Sequence, residues 1–275
     1  MGDVTGFEPF ARVAIIGVGL MGGSLGLALR SRGLAGLVVG IDECPDTVAR
    51  ARDIGAIAKG TTDLAEGVRD ADCVVVAAPV GAIVNVLQAI APHVASTATI
   101  TDLGSTKIQI VAEGLRLFGP RFVGGHPMAG AERSGIGAAD RDLFEGAAWA
   151  IVRPGRFDLS DDPFAARVAG MVEALNARPV LLEAEQHDRI VAIVSHLPHL
   201  LSFAYSNAVE ASAEAVTARE MAGGSYRDLM RVSQADSDLW GDIFRQNREF
   251  LRSAITTYEA ELKKLKRSFD LDQQT

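Results

Sequence analysis

The stretch Arg12-Val13-Ala14-Ile15-Ile16-Gly17-Val18-Gly19-Leu20-Met21-Gly22 decides how this chain begins to fold. Its apolar, β-branched first half reads as a buried strand, and Gly17 to Gly22 then fits G-x-G-x-x-G. Ser24 to Arg30 continues as a helix. The bare glycine pattern is common; a strand directly before it and a helix directly after make it specific. Gly17 permits the tight turn, Gly19 lets the backbone approach a pyrophosphate, and Gly22 allows close helix–strand packing. Leu20 and Met21 open the helix, whose first amide groups then face the phosphates.

Twenty residues beyond Gly22, Asp42 closes the apolar run Leu37 to Ile41. A carboxylate there accepts hydrogen bonds from a ribose 2′-hydroxyl and repels a 2′-phosphate, so NAD is expected over NADP. The alternative is a glycine-rich turn in a flavodoxin-like sheet that binds no nucleotide. That reading does not account for Asp42.

Outward from this stretch, short apolar runs recur at Cys73–Ala77, Ala98–Thr101, Phe122–Gly124, Ala148–Val152 and Pro179–Leu182. Helix-length segments separate most of them. Such alternation implies right-handed crossovers and a largely parallel sheet with helices on both faces, an α/β Rossmann domain over residues 11–184. Arg153 to Pro163 is polar, with Pro and Gly, and reads as a loop. After Gln186 the strand signals stop, and residues 186–275 read as an all-α domain broken at Ala222-Gly223-Gly224. Trp240, Ile243, Phe244, Asn247, Leu251, Ala254, Ile255, Tyr258, Leu262 and Leu265 recur at steps of three and four. They predict one continuous helix of about seven turns, roughly 40 Å long. A stripe that long is expected to pack on a second subunit, making a homodimer; the alternative lays it along its own nucleotide domain.

The 275 residues carry 27 Lys and Arg against 35 Asp and Glu, a net charge of −8. That disfavours a nucleic-acid surface, though a few clustered arginines can still hold an anionic small molecule. Cys44 and Cys73 are the two cysteines, far apart, which excludes a disulfide scaffold or Cys-rich zinc module and fits a reducing compartment. With no signal-peptide pattern at the start and no membrane-length apolar run, a cytoplasmic protein is expected.

Two more strand ends point at the nucleotide crevice, because ligands of open α/β sheets bind at the carboxyl ends of strands. Small residues at Ala78 and Pro79 leave room for a nicotinamide ribose. Asp102-Leu103-Gly104-Ser105-Thr106-Lys107 places Ser105 beside the reacting ring; Ser105 and Thr106 also suit a helix N-cap. In Gly124-Gly125-His126-Pro127-Met128-Ala129-Gly130-Ala131-Glu132, the histidine follows a strand and the glycines clear space around it. An isolated loop histidine is usually a solvated surface residue. At a strand end of the nucleotide domain, His126 reads instead as a general base.

In these segments the sequence resembles the prephenate/arogenate (cyclohexadienyl) dehydrogenases of tyrosine biosynthesis. The likeness continues through Ser195-His196-Leu197-Pro198-His199, Gly223-Gly224-Ser225-Tyr226-Arg227-Asp228-Leu229-Met230-Arg231 and Trp240. It implies a Rossmann domain followed by a helical dimerisation domain, and NAD-dependent oxidative decarboxylation of prephenate or arogenate. It makes His126 the base and Ser105 the hydroxyl that orients it. Arg231 becomes the substrate-carboxylate arginine, and Arg227 stands where lysine is common. Glu132 and Asp228 take acidic positions that gate that arginine; from spacing alone, these four would be a solvated charge cluster. His196 and His199, read alone, suggest a core or metal pair, but no third ligand is evident. The resemblance sets one or both, with Trp240, over the substrate or nicotinamide.

Ala235-Asp236-Ser237 departs from the Ser-Asp-Pro common in the family, removing one serine contact. The sequence shows neither a chorismate mutase segment nor an ACT segment, so tyrosine, if it inhibits, is expected to compete at the active site. The rivals are a β-hydroxyacid or imine-reducing dehydrogenase, whose helical-domain lysine the Ser-His-Leu-Pro-His segment does not offer, and a nucleotide sensor without chemistry.

Overall fold

The computed structural model describes residues 7–130 and 133–271. Its first unit, residues 1–187, is built from β1 (Phe10–Ile16), α1 (Leu20–Ser31), β2 (Ala35–Ile41), α2 (Pro45–Asp53), β3 (Lys59–Thr61), α3 (Leu64–Val68), β4 (Cys73–Val76), α4 (Ile83–Ile90), β5 (Thr99–Asp102), α5 (Ile108–Phe118), β6 (Phe122–Pro127), β7 (Ala148–Arg153), α6 (Pro163–Ala174), β8 (Arg178–Glu183) and the start of α7 (Ala184–Val191). Among the described residues these strands form one sheet in the order β3-β2-β1-β4-β5-β6-β7-β8. Seven of the eight correspond to the expected apolar runs.

The unexpected strand is β3, Lys59-Gly60-Thr61, which has no apolar run to announce it. It exists because β2 offers a free edge, and Lys59 pairs with Val39 and Thr61 with Ile41. The sheet is parallel except where β6 meets β7, with His126 opposite Ala150. A parallel return needs a long crossover, usually a helix. Among the described residues between these two strands there is only a short 3-10 turn at Ile136–Ala138, so the chain comes back antiparallel. Strand order reverses between β1 and β4, which opens a crevice at their carboxyl ends. Val13, Ile15, Leu25, Leu29, Val75, Val123 and Ile151 fill the core beneath it.

The polar stretch after β7 does more than connect. Arg153 is buried and meets Asp162 through two 2.6 Å bonds, from Nε and from Nη2. It also donates to the carbonyls of Phe122 and Pro120, so it fastens the start of β6. Asp162 in turn caps α6 by accepting from the Ala165 N–H at 2.9 Å.

The second unit, residues 188–275, contains the end of α7, a wide π-helical turn at Ala192–His196, α8 (Leu197–Glu210), α9 (Ala215–Glu220), α10 (Gly224–Val232), α11 (Ser237–Gln246) and α12 (Arg248–Leu271). Leu197, Leu251 and Ala254 form its small core, with Phe244 and Leu201 packed around them. The single seven-turn helix expected across 240–265 is two helices. The chain bends at Asn247, which leaves the helical region (φ −107°, ψ 25°). Its buried side chain donates to the Asp188 carbonyl at 2.7 Å and meets His196 Nδ1 at 3.0 Å. Apolar periodicity passes through this position unbroken, so the break comes from tertiary hydrogen bonding. Farther along α12, Leu265 and Phe269 are 59% and 69% exposed. Among the described residues no helix is long and apolar enough to cross a membrane.

Asp162 sets a prediction for stability. Burial raises its carboxyl affinity for a proton, but Arg153 and the Ala165 and Phe164 amides pull harder, leaving it below the usual range. The unfolded chain therefore takes up this proton first as pH falls. The stabilisation is complete above about pH 5 and is lost as pH drops through the unfolded value and then the depressed folded one. Asp162→Ala strands the Arg153 cation with carbonyl partners only and is expected to cost about 2–3 kcal/mol. Thermal melts at pH 7 and in acid should show a deficit that shrinks with acidification; an equal melting temperature at pH 7 would refute it.

Candidate active site

The cofactor end is shaped by the two loops that leave β1 and β4. Gly17 takes φ +87°, and a Cβ there would lie 2.7 Å from the Ala77 carbonyl oxygen. At Gly22 a Cβ would lie 1.9 Å from the Gly17 oxygen. A Cβ at Gly19, by contrast, would meet nothing within 4 Å. Open space at the tip of the turn, with tight packing on either side, suits the approach of a pyrophosphate. Gly19 precedes α1, whose first turn has no acidic residue and no side-chain cap; Leu20 and Met21 open it half-buried. Asp42 Oδ2 accepts from the Val18 N–H at 3.1 Å, and Oδ1 accepts from the Cys44 N–H at 3.1 Å. The carboxylate is thus tied to the glycine turn, as a ribose ligand must be. Ala78 and Pro79 lie just after β4, where Pro79 begins a turn closed by the Ala82 N–H at 2.8 Å. These residues fit a dinucleotide.

Next along the sheet, Asp102 ends β5 fully buried. Oδ2 accepts from the Gly104 N–H at 2.8 Å and pairs with the equally buried Lys107 ammonium. Oδ1 accepts from the Gly125 N–H at 3.1 Å. One carboxylate therefore pins both the loop carrying half-buried Ser105 and the strand carrying His126. The expected Ser105 or Thr106 cap is not what starts α5: Lys107 is the N-cap residue, without a side-chain bond to the helix. Gly125 also proves to have a different reason from the one expected. A Cβ there would lie 2.4 Å from the Asp102 carbonyl oxygen, so this glycine makes room for β5 and not for a ligand.

His126 is 8% exposed at the end of β6, too enclosed for a solvated surface histidine. Its Nδ1 lies 2.9 Å from Nε2 of His187, which is 1% exposed, and the rings meet edge to face at 5.1 Å. Sequence reasoning missed His187, which sits one turn into α7; a lone histidine just past the last strand carries no periodic signal. Glu132 lies outside the described residues.

In the helical unit, the π-helical turn and Pro198 set His196 and His199 in different surroundings. His196 is buried against Asn247. His199 stacks on Trp240 with ring centroids 3.5 Å apart, and Trp240 also meets His196 edge to face at 6.1 Å. His199 Nδ1 lies 2.9 Å from the Ser195 carbonyl oxygen, which can only accept, so Nδ1 carries the proton and Nε2 the lone pair. Burial lowers the pKa of His199 and outweighs the opposing pull of that carbonyl, which keeps the ring neutral at pH 7. Arg227, Asp228 and Arg231 lie exposed along α10. Arg227 donates to the Ala222 carbonyl at 2.9 Å, which turns it toward the start of its own helix.

Comparisons with known proteins match this division. Residues 25–181 fit the prephenate dehydrogenase nucleotide-binding domain, and residues 183–275 fit the prephenate dehydrogenase dimerization domain. The prephenate dehydrogenase of Lactococcus lactis is 31% identical over 91% of this chain and 69% of its own. Prephenate dehydrogenase from Aquifex aeolicus, solved with hydroxyphenyl propionate and NAD+, superimposes with a TM-score of 0.88 at 31% identity, over 98% of this chain and 93% of that one. Synechocystis arogenate dehydrogenase gives 0.79 at 27% identity, over 95% and 93%. One family model thus falls on the sheet and the other on the helices, and the chain belongs to the prephenate dehydrogenase family.

Proposed function

We propose that this family member catalyses NAD-dependent oxidative decarboxylation of prephenate, arogenate or both, in the pathway to tyrosine. The observation that carries the proposal is His126, a buried imidazole on the strand next to the Ser105 loop, fixed through Nδ1 by a second buried ring. Bound NAD+, held by Gly17 to Gly22 and Asp42, supplies the hydride acceptor.

The chain's own residues do the rest. With Nδ1 engaged by His187, His126 acts through Nε2 and accepts the proton of the C4 hydroxyl as that carbon becomes a carbonyl. Ser105 orients the hydroxyl. The resulting dienone makes the C1 carboxylate a vinylogous β-keto acid, which loses CO2 to give the aromatic phenol. Aromatisation drives the step, so the protein supplies position, a base and charge complementarity. Arg231 pairs with a substrate carboxylate through its planar fork, and Arg227 adds a second cation from α10. His199 and Trp240 offer a flat wall with a neutral acceptor nitrogen, and Asp228 is an acidic partner for Arg231 on the same helix. The exposed apolar positions on α12 support packing against a second copy, as a cytoplasmic homodimer. Tyrosine, which shares the amino-acid side chain of arogenate, is the expected competitor at this site.

His126→Asn is expected to lower kcat at least ~100-fold with little change in NAD+ affinity, as loss of a base should. Activity within a few-fold of the unsubstituted enzyme would remove His126 from the chemistry. Arg231→Ala should chiefly raise KM for the substrate, costing about 2–4 kcal/mol in kcat/KM. An unchanged KM would return Arg231 to a solvated charge cluster.

Cofactor choice tests Asp42. Glu43 follows it, and no Lys or Arg occurs before Arg50. A 2′-phosphate would therefore face carboxylates without a counter-ion, and NAD+ should be preferred roughly 30- to 1,000-fold. Asp42→Ser should narrow that ratio, mainly by weakening NAD+. Equal kcat/KM for both cofactors in the unsubstituted enzyme would show that Asp42 does not hold the ribose.

A further inference from the structure

We infer that His187 is a positioning residue that selects the tautomer of His126. The inference rests on His126 being the base. Two neutral imidazoles joined nitrogen to nitrogen share one proton: one ring donates and the other accepts. His126 meets His187 through Nδ1 at 2.9 Å, so the proton it removes from a substrate must arrive at Nε2. A neutral imidazole has one N–H. For Nε2 to hold a lone pair, that N–H must sit on Nδ1 and donate to His187 Nε2. His187 must then carry its own proton on Nδ1. The opposite arrangement, with His187 Nε2–H donating, would place the His126 proton on Nε2 and leave nothing there to take another.

The geometry therefore ties reactivity at one ring to the tautomer of the next. When Nε2 of His126 takes a proton, its Nδ1–H bond to His187 becomes charge-assisted and strengthens, so the same contact that orients the neutral ring also stabilises its cation. The pair holds at most one added proton, because two imidazolium rings cannot hydrogen-bond to each other and would repel. A carboxylate in this place would do similar work with a buried negative charge, as in hydrolase triads. His187 does it without adding a charge. The nearby buried ion pair, Asp102 with Lys107, is already internally neutral, and it reaches β6 through the Gly125 N–H. His187 lies one turn into α7, so the ring that sets the base comes from the last element of the first unit.

Two substitutions and one spectrum test this. A glutamine oxygen can stand close to the position of His187 Nε2 and accept from Nδ1–H, whereas leucine cannot. His187→Leu should lower kcat by ~10- to 100-fold while KM for NAD+ stays within about two-fold, since the glycine cradle is untouched. His187→Gln should recover most of that loss. Equal impairment of both variants, or near-normal kcat in the leucine variant, would overturn the inference. Nitrogen-15 histidine spectra of the full unsubstituted chain, with His126 assigned by His126→Asn, should show its neutral ring protonated at Nδ1. A ring protonated at Nε2 would overturn the inference whether or not His187→Leu folds. Turnover of prephenate or arogenate by the unsubstituted protein checks the proposed reaction separately. Absence of turnover with an Nδ1-protonated His126 would fault the substrate assignment and leave the tautomer assignment standing.

Discussion

The Asp102 carboxylate has no exposed surface, and much of the first unit's chemistry is arranged around it. An isolated buried carboxylate would be costly by several kcal/mol, so it is stable here only with its partners complete. Lys107 supplies the counter-charge, and the Gly104 and Gly125 amides occupy its remaining lone pairs. Each partner lies on a segment that must be placed: Gly104 and Lys107 bracket Ser105, and Gly125 precedes His126. Substituting apolar residues for the pair could match its stability, but would release both segments. The ion pair is better understood as a clamp on geometry than as a source of folding energy.

The same logic explains which features were legible in the sequence. The glycine turn and Asp42 could be read because their constraints are local: a turn, a close approach and a strand end, all within thirty residues. Seven strands were legible from β-branched runs. β3 was not, since Lys59-Gly60-Thr61 becomes a strand only through the edge of β2. The bend at Asn247 was hidden for a related reason. Its neighbours keep a helical apolar rhythm, and the partners that bend the chain, Asp188 and His196, are 59 and 51 residues away. His187 was invisible on the same grounds, as its meaning depends on meeting His126 across sixty-one residues of sequence. The expected strands that proved longer, such as β6 running on to Pro127, gained residues by pairing with β7.

Histidines illustrate how far residue type alone carries. Four of the five, His126, His187, His196 and His199, fall at or near candidate site positions, yet their surroundings give them different work. His126 and His187 bond to each other. His196 is held by an asparagine that also ends a helix. His199 is fixed by a carbonyl and a tryptophan face, and burial keeps it neutral. The i,i+3 spacing of His196 and His199 suggested a common face, and both rings do meet Trp240, just after a π-helical turn that ends at His196. Such turns recur where a helix must aim a side chain in a direction that regular geometry does not offer.

A chain of net charge −8 that binds a dinucleotide and a substrate with two carboxylates works against its own overall sign. The resolution lies in distance. At physiological ionic strength, charges more than about 8 Å apart are largely screened, so the sum over the surface matters less than the groups within contact range. In the first unit, the first turn of α1 carries no acidic side chain, and its backbone amides attract phosphate without adding a formal charge. In the second unit, Arg227 and Arg231, proposed above to meet the substrate, lie one turn apart on α10. Both devices are short-ranged. They favour an anion already in place and do little to draw one from a distance. Within the first unit, fixed geometry at the strand ends is set by a buried ion pair at the end of β5 and by a pair of buried imidazoles that joins β6 to α7.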